Sequence, residues 1–353
     1  MHNSLAPRGP PKEPEERVSS RSRILSALVG LLLAAGLLAY AFSRGGVDSI
    51  QQALAQATFA VLAPAVACEV IVQLARSLKW TAILRTHAPV KFRNVLSAVL
   101  LGGASTHLVP LRLDEVLRAG LLSRREGLPM ATVLGTVALD RIFEVLVLGV
   151  LVGMLALFGD LQAWMRAGAA VMWTAFVLVL AAVVFFLRYE EAVKDRLAGA
   201  ANPWVRAAEP ALGRLAAGLR ALPTGSGLFV AIAGAAIEWG AVVALYSWLL
   251  HAYEASAGLA GGVLLALGSA FAYAIPNVPG AVGSFETLQT MLLEAGTTLD
   301  AETALALALT AHAVLIIPIT AAGVVVAGFE WRRWGTLAAP DDAAPHDGEP
   351  PAL

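Results

Sequence analysis

Apolar and polar positions along this chain fall into long blocks instead of alternating with the period of a surface helix or strand. Predominantly apolar runs occur near 24–42, 58–78, 130–158, 168–187, 227–250 and 302–329. A helix needs about 20 apolar residues to cross the roughly 30 Å hydrocarbon layer of a membrane. The pattern therefore predicts about six transmembrane helices.

Two further apolar stretches, 94–122 and 258–293, are interrupted in the middle by glycine and proline. The membrane interior tolerates released backbone groups only where protein or a water-filled cavity satisfies them. We therefore expect both stretches to be re-entrant helix pairs that dip into the membrane and return. A pair of ordinary kinked spans is the simpler alternative.

The basic residues indicate how these segments are oriented. Of the 25 Lys and Arg residues, 22 lie in the segments 1–23, 76–93, 112–125, 188–220 and 330–353. The positive-inside rule places these segments, and hence both termini, in the cytoplasm. The first broken stretch then enters from the cytoplasm and the second from outside. We expect a multi-pass protein of the plasma (inner) membrane.

An internal repeat supports the same arrangement. LGGASTHLVP at 101–110 aligns without gaps to LGSAFAYAIP at 267–276, one copy in each broken stretch. Inverted repeats with broken helices that meet near the midplane are typical of secondary transporters. The sequence thus predicts an all-α polytopic membrane protein of about six full spans plus two re-entrant helix pairs, arranged as inverted-topology repeats.

The expected domain organisation follows from these segments. The first apolar run is too long for a signal peptide and lacks a clear cleavage site, so we interpret it as a spanning helix. We expect a transmembrane domain (23–334) between two disordered cytoplasmic tails (1–22 and 335–353). Within that domain, a first repeat (about 58–158) and a second repeat (about 227–330) are joined by an amphipathic cytoplasmic linker (189–225), which is interrupted at Pro203 and Pro210.

Composition excludes several classes of protein. Apolar residues make up 58% of the chain and charged residues 14%, against about a quarter charged in soluble domains. The net charge of −1 gives no support for nucleic-acid binding. The single cysteine, Cys68, excludes internal disulfides, zinc ribbons and iron–sulfur sites. We expect no metal, no cofactor and no nucleic-acid partner.

Ionisable residues inside apolar segments are costly and are therefore candidates for function. The densest set is LDRIFE at 139–144, where Asp140, Arg141 and Glu144 can pair along one side of a helix. The set is either a structural ion-pair cluster that holds helices together, or a cationic anchor for an anionic head group tuned by two carboxylates.

The first break offers a second group of charges. PLRLDEVLR carries Arg112 and Arg118 beside Asp114 and Glu115. Arginine presents a planar, permanently charged fork that suits phosphate oxygens. Ordinary cytoplasmic anchoring is the alternative role for these residues.

The second break and the last span contribute further candidates. Ser284 and Glu286 begin a helix whose N-terminus would attract an anion, unless Glu286 itself caps that helix. His312 lies about ten residues into the last span, where a histidine is as often structural as functional. Arg76, Lys79 and Glu238 are secondary candidates that fit bonds between helices.

Several short signatures in a fixed order resemble a known family. ARSLKWTAILR, PLRLDEVLRAGLLSRREGL, VALDRIFEVLVL and IPNVPGAVGSFE resemble the flippase-like family that includes the transmembrane region of lysylphosphatidylglycerol synthases, over about residues 24–330. The family's first break usually reads Pro-x-Arg-x-Gly-Glu and then Arg. This chain has Asp114 where that glycine is usual, Glu144 where an aspartate is common, and His312 where an arginine is frequent.

The resemblance implies a membrane lipid transporter that moves a lipid with a charged or sugar-bearing head group between leaflets. The lipid would be a phospholipid, an aminoacylated lipid or a polyprenyl-phosphate glycolipid, and envelope-biosynthesis enzymes are candidate partners. The soluble catalytic domain of the synthases has no room in the short C-terminal tail, so we expect no enzymatic activity. A membrane-embedded transferase and an accessory subunit of an envelope-lipid pathway are the alternatives.

Overall fold

The computed structural model describes residues 20–108, 114–158, 163–198, 209–220, 222–255, 257–274 and 279–337. Over these ranges the backbone is helical and contains no strand. This confirms the all-α class predicted from the apolar blocks.

The helices lie where the apolar runs predict them. They are α1 (Ser20–Gly45), α2 (Asp48–Gln56), α3 (Phe59–Leu84), α4 (Phe92–Leu108), α5 (Asp114–Glu126), α6 (Met130–Phe158), α7 (Ala163–Ala198), α8 (Glu209–Leu219), α9 (Ser226–Ala252), α10 (Gly258–Ala274), α11 (Ser284–Gly296) and α12 (Ala301–Leu337). A short 3-10 turn, Pro279–Ala281, precedes α11. Among the described residues, α3, α9 and residues 301–330 of α12 are long and apolar enough to cross a membrane.

Each broken stretch forms two short helices. The first stretch forms α4 and α5, of 17 and 13 residues, and the second forms α10 and α11, also of 17 and 13 residues. The bounds of α4 and α10 differ by 166 residues at both ends, which is also the shift between the two repeated sequences. The order long, short, short, long therefore occurs twice, in α3–α6 and in α9–α12.

The structure describes only part of the predicted tails and linker. Helix α1 begins at Ser20 and α12 reaches Leu337, while residues 1–19 and 338–353 of the predicted tails lie outside the described residues. The linker is predicted to begin at 189, but α7 continues without a break to Ala198. Pro203 lies outside the described residues. Pro210 is the second described residue of α8, and proline is tolerated in the first turn of a helix.

Small residues bring the long helices close together. Helix α9 packs along α3 through Gly234, where an added Cβ would lie 2.9 Å from the Cβ of Lys79. Helix α12 packs against α4 through Gly323, where an added Cβ would lie 2.3 Å from the Cβ of Ala104. Close approach at small residues is the usual basis of helix packing in membranes. The first broken pair is thereby held against the last long helix.

The two breaks meet each other. The end of α4 packs against the turn Pro279–Ala281. The rings of His107 in α4 and Tyr273 in α10 are 6.0 Å apart in an edge-to-face arrangement. These two residues occupy equivalent positions in the repeated sequence. Equivalent residues of the two copies are therefore in contact.

Candidate functional site

The candidate site is built around Lys79, a lysine whose side chain is 0% exposed within helix α3. Its Nζ lies 3.0 Å from Asp140 Oδ1 and 3.4 Å from Glu144 Oε1, both on α6. On the other side it donates to Glu238 Oε2 of α9 at 2.8 Å. One ammonium group thus pairs with three carboxylates from two neighbouring helices.

Arg76 extends this arrangement by one turn of α3. Its guanidinium donates to Glu238 Oε1 at 2.8 Å and lies 3.9 Å from Glu144 Oε1. Residues three apart share one helix face, so Arg76 and Lys79 both point toward α6 and α9. The side chain of Arg76 is 27% exposed, in contrast to the enclosed Lys79.

Helix α5 brings Arg118 to the other carboxylate oxygen of Asp140. Arg118 Nη1 donates to Asp140 Oδ2 at 3.2 Å, and the guanidinium carbon lies 4.9 Å from the centre of the Trp80 ring. The indole N–H of Trp80 donates to Thr136, which fixes the ring under the cation. The buried Nε and Nη2 of Arg118 have no hydrogen-bond partner among the described residues.

Arg141 forms the outer edge of the arrangement. It donates to Glu144 Oε2 at 2.5 Å on its own helix and to Glu115 Oε1 at 2.8 Å on α5, and it lies 3.6 Å from Asp114 Oδ2. The side chains of Arg141 and Glu115 are 39% and 45% exposed. This edge is the part of the cluster that a molecule outside the helices reaches first.

We name this cluster the charge network; its members are Arg76, Lys79, Asp114, Glu115, Arg118, Asp140, Arg141, Glu144 and Glu238. A buried charge is tolerated only when it is paired. Removing one partner of a buried ion pair costs about 3–5 kcal/mol, because the other charge is left without compensation. The inner ion pairs therefore hold α3, α5, α6 and α9 together, while Arg76 and Arg141 remain accessible on either side of Glu144.

The second break forms its own cluster on α11 and α12. Glu286 Oε2 accepts from the backbone N–H of Gly283 at 2.6 Å, so Glu286 itself caps α11. Its Oε1 lies 2.6 Å from His312 Nδ1, and His312 Nε2 lies 2.8 Å from the carbonyl oxygen of Gly280. Ser284 donates to the carbonyl of Ala281 at 2.9 Å. These side chains are occupied by groups of the chain itself.

Most of the residues predicted from the sequence lie in one of these two clusters. Arg112 lies outside the described residues. Lys79, predicted from the sequence only as a secondary candidate, is the centre of the charge network. The feature of the sequence that indicates a functional residue here is a lysine within an apolar helix, three residues after Arg76. Asp140 does not pair with Arg141, because its carboxylate faces Lys79 and Arg118. His107 and Tyr273 were not predicted, although the repeat alignment pairs them.

Apolar helices that enclose a network of paired charges define a helical membrane protein with a polar site in its interior. The chain belongs to the family described as the lysylphosphatidylglycerol synthase transmembrane region, whose family model matches residues 27–323. The chain matches none of the curated proteins and none of the solved structures with which it was compared.

Proposed function

We propose that this protein is a transporter that moves a phosphate-bearing lipid with a charged head group between the leaflets of the plasma membrane. Its family is one of membrane proteins in lipid metabolism or transport. The lipid in the family's name carries both a phosphate and an amine on its head group. We propose that side chains in the interior of this protein bind a head group that carries charges of this kind.

The observation that carries the proposal is the division of the charge network into an enclosed and an accessible part. Arg76 and Arg141 are partly exposed on either side of Glu144, and Glu115 is exposed beside Arg141. Two guanidinium groups suit the oxygens of a phosphate, and a nearby carboxylate suits an amine. A head group that carries both charges would find partners of both signs.

The architecture supports alternating access. The helix order of α3–α6 recurs in α9–α12, and the equivalent residues His107 and Tyr273 touch. Contact between equivalent residues is expected where a pseudo-two-fold axis passes between two repeats. We infer six spans and two re-entrant pairs related by such an axis in the membrane plane, as in many secondary transporters.

The distribution of Lys and Arg supports an orientation with both termini in the cytoplasm. In that orientation the pair α4–α5 enters from the cytoplasm and the pair α10–α11 enters from outside. We further propose that the chain carries out transport without an enzymatic step. The carboxylates of the charge network are paired with cations, and this arrangement suits binding better than proton transfer to a reacting group.

The test is leaflet exchange in vesicles that contain the purified full-length protein. Separate vesicle sets carry a trace of fluorescent phosphatidylglycerol, lysyl-phosphatidylglycerol or a neutral galactolipid without phosphate. We expect the protein to accelerate exchange of the phosphate-bearing lipids at least about tenfold over the galactolipid, which corresponds to about 1.4 kcal/mol. Equal exchange of all three lipids, or none above protein-free vesicles, would contradict the proposal.

A further inference from the structure

Glu286 and His312 form a buried ionisable pair outside the charge network. Both residues are 4% exposed, and they join the turn before α11 to the first third of α12. If the protein transports lipid as proposed above, this pair bears on what drives the transport. The following inference rests on that proposed function and concerns a different cluster of residues.

The contacts of His312 set how many protons are needed for both of them to be hydrogen bonds. Nδ1 faces a carboxylate oxygen at 2.6 Å and Nε2 faces a carbonyl oxygen at 2.8 Å, and both of these groups accept hydrogen bonds. A neutral imidazole carries one N–H and therefore satisfies only one of the two contacts. Both contacts require one additional proton, either on the imidazole or on the Glu286 carboxyl.

The two protonation forms of the pair differ in net charge and in how their surroundings interact with them. With the additional proton the pair is neutral overall; without it the pair holds a net negative charge, which the Gly283 N–H and the N-terminus of α11 stabilise only in part. The ring of Phe285 stacks on the imidazole with centroids 4.1 Å apart and planes at 13°. The face of an aromatic ring attracts a cation, so this stacking stabilises an imidazolium.

The other ionisable groups around the pair are few in the described part of the chain. His107 on α4 lies beside Gly280, with its Nδ1 3.4 Å from where a Cβ on that glycine would stand. Tyr273 on α10 faces His312 with ring centroids 6.3 Å apart. Neither of these two side chains carries a positive charge as long as His107 is neutral, so a positive charge beside Glu286 would come from the proton on His312.

The same contacts hold a strained turn, which continues from the 3-10 turn as far as Gly283. Gly280, Ala281 and Gly283 all have positive φ, at 60°, 56° and 82°. A non-glycine residue such as Ala281 adopts this region only when surrounding contacts hold it there. The His312 contact to the Gly280 carbonyl and the Glu286 contact to the Gly283 N–H are two of those contacts.

The turn also contacts two other helices. An added Cβ on Gly283 would lie 2.4 Å from the carbonyl oxygen of Ala34, so the turn lies directly against α1. Thr287 at the start of α11 donates to the carbonyl of Leu37 at 2.8 Å. At its other end the turn packs against α4, the first helix of the first broken pair. A change at the His312 contact therefore acts on α1, α4, α11 and α12 together.

We propose that Glu286 and His312 form a proton-binding site that couples the conformation of the second break, and through it lipid transport, to the proton gradient. On deprotonation the pair releases one proton to the aqueous side that it faces at that stage, leaving a neutral imidazole and a carboxylate. One contact of His312 is then lost and the turn is free to rearrange. Rebinding a proton from the opposite side restores it.

Glu286→Gln is the decisive variant. The side-chain amide that this change introduces can donate to Nδ1 of His312, so a neutral imidazole then keeps both of its contacts without the additional proton. We expect this variant to fold and to lose the coupling. His251→Gln is the matched control, because His251 is exposed at the end of α9.

The first measurement is ¹⁵N NMR of the full-length protein, labelled on histidine and held in lipid nanodiscs, between about pH 5 and pH 9. The signals of His312 are identified by their loss in His312→Gln. We expect two protonated nitrogens at low pH and a single-proton transition on raising the pH, and no such transition in Glu286→Gln. A His312 that stays neutral throughout would overturn the proton site.

The second measurement is leaflet exchange in vesicles with a pH difference across the membrane. One proton per cycle changes the rate by up to about tenfold per pH unit, or about 1.4 kcal/mol. We expect this dependence in wild type and in His251→Gln and its loss in Glu286→Gln. A titrating His312 with pH-independent exchange would overturn the coupling. Absence of all exchange contradicts the transporter proposal and leaves the NMR result to decide the proton site.

Discussion

Lys79 is the residue on which the charge network depends most. It pairs with Asp140, Glu144 and Glu238 and has no exposed surface, so its removal leaves three buried carboxylates without the cation that they share. Arg141 differs because 39% of its side chain is exposed and its main partner Glu144 also pairs with Lys79. Lys79 therefore serves to neutralise buried carboxylates, whereas Arg141 remains accessible at the edge of the charge network.

Arg118 gives a prediction at this scale. Its guanidinium stacks on Trp80 and donates to Asp140, and Arg118→Lys keeps the charge while removing the planar fork and its two remaining donors. We expect a lipid phosphate to reach these two donors during transport; since hydrogen bonds to charged groups contribute about 1.5–3 kcal/mol, lipid exchange per folded molecule should fall at least about tenfold. The measurement is leaflet exchange in vesicles.

Arg44→Lys is the control for this variant, because Arg44 pairs with Glu294 away from the charge network and is half exposed. We expect it to exchange lipid at the wild-type rate. Unchanged exchange in Arg118→Lys would show that the guanidinium of Arg118 serves structure alone.

The sequence identified most of the site at the residue scale but not the pairing within it. The spacing of Asp140, Arg141 and Glu144 predicts pairing on one helix, and Arg141 does pair with Glu144. Asp140 instead faces Lys79, which is 61 residues away in the chain. Spacing along one helix contains no information on which other helix packs against it, so the central role of Lys79 was visible only in the structure.

At the scale of elements, the packing of α12 on α4 depends on Gly323. An added Cβ there would lie 2.4 Å from the carbonyl oxygen of Leu100, and backbone cannot move aside as a side chain can. We expect Gly323→Ala to separate the two helices and to destabilise the protein by about 1–3 kcal/mol, the usual cost of overpacking. The measurement is the thermal unfolding midpoint in detergent.

Gly328→Ala is the matched control, because Gly328 lies on the same helix and an added Cβ there meets nothing within 4 Å. We expect its midpoint to stay at or slightly above that of wild type, since alanine favours a helix over glycine. Equal midpoints for the two variants would show that the α4–α12 contact is not close-packed.

The sequence predicted the helices well and their ends less well. Glycine and proline correctly marked both breaks, because each break divides an apolar stretch into two short helices. The predicted linker begins at 189, which lies within α7, because that helix continues through the charged residues Arg188, Glu190 and Glu191. A change in polarity marks where a helix leaves the apolar layer and does not mark where the helix itself ends.

At the scale of the whole molecule, the proposed inverted repeat makes a prediction about topology. With Cys68 replaced by alanine, single cysteines are introduced at Gln51, Thr86 and Thr298, all of which are exposed. The basic residues near 76–93 predict that Thr86 faces the cytoplasm and that the other two face outward. Labelling with an impermeant maleimide in intact cells should therefore modify Gln51→Cys and Thr298→Cys only.

Thr86→Cys should react after the membrane is permeabilised, which shows that the position is accessible. Labelling of Thr86→Cys from outside, or protection of Thr298→Cys, would contradict opposite orientations of the two broken pairs. The contact between His107 and Tyr273 would then need an explanation other than a pseudo-two-fold axis.

The central claim is that the accessible edge of the charge network lies on the path of the lipid head group. Arg141→Gln tests it most directly, because this change leaves the inner ion pairs of Lys79 in place. Lys79→Met is the comparison for a purely structural loss, and we expect it to lower the yield of folded protein. Arg44→Gln is the comparison for loss of an ion pair outside the network.

The measurement is leaflet exchange of fluorescent phosphatidylglycerol per folded molecule, normalised by recovery of protein from size-exclusion chromatography in detergent. We predict that Arg141→Gln is recovered at near-normal levels and loses most of its exchange, while Arg44→Gln keeps the wild-type rate. Full exchange per folded molecule in Arg141→Gln would contradict the placement of the lipid path along this edge.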